Sequence, residues 1–164
     1  MYFRTDYPSP IGLLTLAVDG NALVGLWLEN QKYFAAGFEK HLIPGDELPV
    51  FRDAKAWLDA YFAGLTPDIR NLPLAPEGSA FQHSVWEVLK EIPYGQTVTY
   101  GEIARALDCR SAQAVGGAVG RNPISIIIPC HRVLGAGGSL TGYAGGTERK
   151  LWLLRHEGIH TAGK

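Results

Sequence analysis

The chain has 164 residues, of which 46% are hydrophobic and 19% charged, the profile of a folded protein rather than a disordered one. A net charge of −1 argues against a strongly basic nucleic-acid binder, and two cysteines are too few for a disulfide framework. The opening MYFRTDYPSP lacks the basic start and apolar core of a signal peptide, and no apolar run reaches the roughly 18 residues of a membrane span, so a cytoplasmic monomer without a membrane partner is expected.

The first thirty residues read as β structure. IGLLTLAV and ALVGLWL are apolar runs of strand length separated by Asp19-Gly20-Asn21, a hairpin turn signal, and Tyr2 to Tyr7 can add a third strand. From Val50 to Ala63, Phe51, Ala54, Trp57, Leu58, Tyr61 and Phe62 recur at helical spacing, which predicts a helix packed on that sheet. GLTPDIRNLPLAPEG then interrupts the pattern, placing a domain boundary near Gly78. Up to Gly78, six Lys/Arg face ten Asp/Glu. From Ser79 onward nine basic residues face six acidic ones, so any polyanion should meet the second half.

Ser79-Ala80-Phe81-Gln82 has the form of a capping box and predicts a helix to about Glu91, with Phe81, Val85, Val88, Leu89 and Ile92 inward. Thr99-Tyr100-Gly101-Glu102 is a second capping box opening a short helix to about Leu107. After a turn near Asp108 to Arg110, Ser111 can cap another helix to about Gly120, and the pair has the shape of a helix-turn-helix. A strand around Ile124 to Ile128, a glycine-rich loop from Gly135 to Gly146 and a last helix capped by Thr147 and ended by Gly158 complete the chain. These elements predict an α+β fold: residues 1–78 as an α/β domain with a small, mostly antiparallel sheet, and residues 79–164 as a mainly helical, winged-helix-like domain.

Three stretches carry candidate chemistry. SAQAVGGAVGR holds Gly116 and Gly117 inside a helix, where each costs about 1 kcal/mol relative to alanine. Its small side chains permit close approach to another surface, with Arg105, Arg110 and Arg121 near enough for phosphates; tight packing within the domain explains the glycines equally well. The Gly135–Gly146 loop lacks a Gly-Lys-Ser/Thr and any dinucleotide fingerprint, and suits a pocket wall whose backbone nears a flat ligand, with Tyr143 as an aromatic side. No Cys-x-x-Cys or paired-His spacing supports a metal site. In IIIPCHRV, Cys130 is buried filler, a metal ligand or a nucleophile. His131 beside it can take a thiol proton, and Glu157 in RHEG, unfavourable at a helix C-terminus, is either a surface residue or the partner that holds the base.

NPISIIIPCHRV, AVGGAVGRNP, LTGYAGG and LLRHEG together resemble the O6-alkylguanine-DNA alkyltransferases over about Phe81 to Gly158, roughly half the chain. The resemblance implies stoichiometric repair of DNA without a cofactor: Cys130 takes the alkyl group from O6 of a flipped guanine and keeps it. By the same resemblance His131 accepts the thiol proton through a water, Glu157 holds the imidazole, Asn122 orients hydrogen bonds and Tyr100 donates to the departing guanine. Val133, Tyr143, Ala144 and Gly145 would hold the base. Thr99, Ala112, Gln113, Gly116 and Arg121 would meet double-stranded DNA from the minor groove. Gln113 departs from the family pattern, which usually has an arginine there to fill the vacated stack. An alternative is a recognition module for alkylated DNA with weak or no transfer; a third reading, a cysteine hydrolase, lacks an oxyanion-hole motif.

Overall fold

The structure, a computed structural model, describes residues 1–38, 42–140 and 142–160; Thr141 of the LTGYAGG motif lies outside them. The chain forms two compact units, Met1–Glu77 with Pro123–Ser125, and Gly78–Asn122 with Ile126–Lys164. The second stretch is thus not one continuous unit from residue 79. Pro123–Ser125 leaves it because Leu26 N–H donates to the Pro123 carbonyl at 2.8 Å and Ser125 N–H to the Leu26 carbonyl at 3.0 Å.

In the first unit, β1 (Tyr2–Ser9), β2 (Gly12–Val18) and β3 (Leu23–Leu28) form an antiparallel meander, and the short β4 (Leu42–Pro44) adds to β1 in parallel, in the order β3-β2-β1-β4. Asp19 closes the β2–β3 turn by accepting the N–H groups of Asn21 and Ala22 at 2.8 and 2.9 Å. Every residue of β3 is buried, as befits a strand covered on both faces. Inside β3, a side chain at Gly25 would overlap the Trp27 ring, so only glycine lets that indole fold back over its own strand. Helix α1 (Pro49–Phe62) starts with proline at its first position and buries Phe51, Ala54, Trp57, Leu58 and Tyr61. Trp57 and Tyr61, one turn apart, stack with ring centroids 5.7 Å apart.

The second unit opens with α2 (Ala80–Lys90), where the Ser79–Gln82 capping box forms with both reciprocal hydrogen bonds. Its buried stripe runs through Val85, Trp86 and Leu89; Phe81, expected inward, stays 38% exposed because the stripe is rotated toward Trp86. The Trp86 indole N–H donates to the Ala118 carbonyl at 2.9 Å, tying α2 to α4 (Ala112–Gly120). Between them β5 (Val98–Thr99) leads into α3 (Tyr100–Ala106), whose Thr99–Glu102 capping box is also complete. Asp108 takes a left-handed φ of 52° in the turn between α3 and α4, and the Ser111 side chain caps α4. This is the expected helix-turn-helix.

The strand expected at Ile124–Ile128 does not form. Ile124 makes one isolated bridge, and Ile126 turns the chain with a φ of 70°, a conformation that breaks any ladder. The isoleucines are buried, but as the inside of a turn. β6 (Val133–Leu134) pairs in parallel with β5 instead. Helix α5 (Thr147–His156) is capped by Gly146 rather than Thr147, which is its first helical residue. Gly158, at φ 84°, ends it with a Schellman pair: Gly158 N–H to the Arg155 carbonyl and Ile159 N–H to that of Leu154, both 2.9 Å. Among the described residues no helix is long and apolar enough to cross a membrane.

Candidate functional site

Cys130 sits at the end of a tightly folded stretch. Pro129, with φ −81° and ψ 66°, forms an inverse γ-turn, and Cys130 N–H donates back to the Ile128 carbonyl at 2.8 Å. The Asn122 amide nitrogen donates to the same carbonyl at 2.8 Å, pinning the loop from the end of α4. One 3₁₀ turn, Cys130–Arg132, then leads into β6, and the β5–β6 pairing ties the cysteine loop to the first turn of α3, where Tyr100 begins the helix.

Cys130 is 4% exposed, and both cysteines are free. Burial pushes the Cys130 thiol up, while a hydrogen bond from Asn122 and the charge of Lys150 oppose that rise. Lys150, in the first turn of α5, is 0% exposed. Its burial lowers its pKa to about 8, with Cys130 pulling the other way, so at neutral pH the ammonium is mostly charged beside the sulfur. Burial and the Cys130 charge push the Tyr100 phenol up to about 12, which keeps it a neutral hydrogen-bond donor.

His131 is completely buried. Its Nε2 lies 2.6 Å from Glu157 Oε2, and both side chains are without solvent contact. Burial would raise the Glu157 carboxyl, but His131 and Arg132 outweigh it and hold the group well below the usual carboxylate range. A carboxylate accepts only, so Nε2 carries the proton. For His131 itself burial is the largest influence and lowers its pKa, with Arg132 and Lys150 acting in the same direction against Glu157. A neutral imidazole held in this way has its lone pair on Nδ1. Among the described residues no group hydrogen-bonds to Nδ1. The arrangement is that of a base held ready for a proton.

The glycine loop packs against Tyr100 and the end of α4. A side chain at Gly142, at φ 91°, would overlap the Tyr100 hydroxyl, and one at Gly120 would sit 3.9 Å from the Gly142 carbonyl. Tyr143, Ala144 and Gly145 form the turn closed by Gly146 N–H on the Tyr143 carbonyl at 3.1 Å and are partly exposed. On the helix-turn-helix, Ala112, Gln113, Ala114 and Gly117 are exposed, and Gly117 has open space where its side chain would be. Gly116 instead faces the Tyr100 ring at 3.8 Å. Arg105, Arg110 and Arg121 are exposed, while Thr99 is half-buried as the α3 cap.

Two family models match this chain. The DNA-binding domain of 6-O-methylguanine DNA methyltransferase covers residues 80–159, and the ribonuclease-like domain of the same protein covers residues 2–76. The chain belongs to the 6-O-methylguanine DNA methyltransferase family. The methylated-DNA–protein-cysteine methyltransferase of Haemophilus influenzae is 47% identical over 96% of this chain and 87% of its own length, and that of Methanosarcina acetivorans 48% over 96% and 99%. Among solved structures, the Mycobacterium tuberculosis O6-methylguanine methyltransferase superposes with a TM-score of 0.86 at 45% identity, over 99% of this chain and 96% of that one. The same protein in complex with DNA superposes at 0.82 and 44% identity, with the same coverage.

For a methyltransferase of this family the structure brings Cys130, His131, Glu157, Asn122 and Tyr100 into one connected site, and three residues join them that the sequence reading left out. Arg132 donates to Glu157 through Nε at 2.8 Å and Nη2 at 3.2 Å. Gly95 N–H donates to Glu157 Oε1 at 3.2 Å. Lys150 acts on the thiol through its charge. Arg132 follows Cys130-His131 directly, but nothing in its spacing says that it turns inward, and Lys150 reads as one more charge in TERKLWLLRH.

Proposed function

We propose that this protein repairs alkylated DNA by moving the alkyl group from O6 of guanine onto Cys130, permanently and without a cofactor. The observation that carries this reading is a buried free thiol whose neighbour His131 is locked by Glu157, with its other nitrogen hydrogen-bonded to none of the described residues, inside the domain that matches the family's DNA-binding domain. Sγ attacks the alkyl carbon, the S–C bond forms as the C–O6 bond breaks, and the electron pair leaves with guanine. The thiol proton passes to His131 Nδ1, relayed by water, and the departing base regains a proton from solvent. Tyr100 donates a hydrogen bond to the guanine as negative charge develops on it. Asn122 and the charged Lys150 favour the thiolate as it forms.

A duplex base cannot meet a sulfur buried to this degree, so the target guanine must leave the stack. The exposed small face of α4 suits the minor groove, with Arg105, Arg110 and Arg121 available to phosphates and Gln113 beside the vacated space. Tyr143, Ala144, Gly145 and Val133 then line the base. The second unit, Gly78–Asn122 with Ile126–Lys164, thus acts as the DNA-binding, alkyl-accepting part, and the protein works in the cytoplasm as a monomer with its thiols reduced.

Incubation with a duplex containing O6-methylguanine, followed by peptide mass analysis, tests the reading. One methyl group on the peptide carrying Cys130, absent in Cys130→Ala, is the expected result. Tight binding of the damaged duplex with no methyl gained would make the protein a recognition module, the reading that Gln113 favours.

A further inference from the structure

Glu157 is gripped more heavily than orienting one imidazole requires. Besides His131, it receives Nε and Nη2 of Arg132, whose third arm, Nη1, donates to the Ile92 carbonyl at 2.7 Å. Arg132 is 8% exposed, and its guanidinium lies 5.7 Å over the Tyr94 ring. Such a group does not deprotonate in proteins, so a fixed positive charge is built into the core beside the base.

That charge decides a competition. A buried carboxylate whose only partner was His131 would favour the imidazolium, and a protonated Nδ1 cannot accept a thiol proton. Among the described residues, the charged and titratable groups facing His131 are Glu157, Arg132, Lys150 and the neighbouring Cys130; of these, Glu157 favours the charged ring, whereas Arg132 and Lys150 oppose it. Lys150 also acts on the thiol. Arg132 makes a two-pronged contact with Glu157, neutralising it where His131 would otherwise have to.

We propose that Arg132 is a positioning residue that sets the protonation state of His131: by pairing with Glu157 it leaves the imidazole neutral, with its proton on Nε2 and its lone pair on Nδ1. The proposal rests on His131 acting as the base for Cys130, but its first test does not.

Nitrogen NMR of histidine-labelled protein reads the tautomer directly. The expected result for the unmodified chain at pH 7 is a neutral His131 protonated on Nε2; an imidazolium there overturns the proposal. Arg132→Met is expected to raise the His131 titration midpoint by about one to two pH units, and Arg132→Lys by less. In the methyl-transfer assay, Arg132→Met should lose rate near pH 6 and recover it by about pH 8, tracking that midpoint. A folded Arg132→Met whose His131 midpoint does not rise would show that Arg132 only braces Ile92. Shifted midpoints with no methyl transfer by the unmodified chain would uphold the role of Arg132 and remove the proposed function instead.

Discussion

Glu157 and His131 meet at 2.6 Å with neither side chain reaching solvent, and the carboxylate does so from the C-terminal end of α5. A negative charge there opposes the helix dipole. The Schellman turn at Gly158 fixes the helix end and leaves the Glu157 side chain pointing inward, where His131, Arg132 and the Gly95 N–H all donate to it. An unfavourable helix position becomes the anchor of the base.

The first prediction follows from the lowered pKa of His131. Only the neutral ring accepts a proton, so the methyl-transfer rate should be level through neutral pH and fall only below pH 6.5, the ordinary value for histidine. His131→Gln should slow transfer by about 100-fold or more at pH 7. The same depressed pKa makes the fold lose stability as pH drops below 6.5, because the unfolded chain then takes up a proton that the folded one refuses. Single-turnover rates and melting temperatures across pH 5 to 8 check both statements.

Lys150 sets stability against reactivity. Its shift from 10.5 to about 8 corresponds to a penalty of roughly 3 kcal/mol, present in full below pH 8 and gone above pH 10.5. Lys150→Met should therefore melt higher than the unmodified chain at pH 7, with the difference vanishing near pH 10.5. It should also transfer methyl more slowly, since the thiolate loses its cation. Thermal melts at the two pH values and a single-turnover assay decide this.

Gly142 and Gly137 form a matched pair. Both have positive φ, but a side chain at Gly142 meets the Tyr100 hydroxyl, whereas one at Gly137 meets nothing among the described residues within 4 Å. Gly137→Ala should cost about 1 kcal/mol and leave transfer intact. Gly142→Ala should cost about 2 kcal/mol or more and slow transfer by displacing the phenol. Denaturant titration together with transfer rates separates the two.

Gln113 bears on how a guanine reaches Cys130. It is exposed at the start of α4 and lacks the cationic plane that stacks on bases. Gln113→Arg should speed repair of methylated duplex while leaving reaction with a free O6-substituted guanine unchanged. Equal effects on both substrates would remove base extrusion as the limiting step.

The sequence by itself determined the local events. Two capping boxes, the Asp19 turn and the Gly158 stop act within a few residues, and each forms as its side chains dictate. The adjacency of Cys130 and His131 is likewise covalent. What only the tertiary structure decided is everything that depends on the path of the chain between distant residues. The isoleucine run looked like a strand because burial and strand pattern are alike in one dimension, yet Ile126 and Pro129 fold it into turns. Phe81 and Trp86 exchanged places because a helix has one inward face and its rotation is set by what it packs on. Arg132 and Lys150 are ordinary surface charges to any composition rule. Burial gives them their effect, since a charge removed from water acts strongly on the few groups it can reach, and which groups those are is a property of the fold.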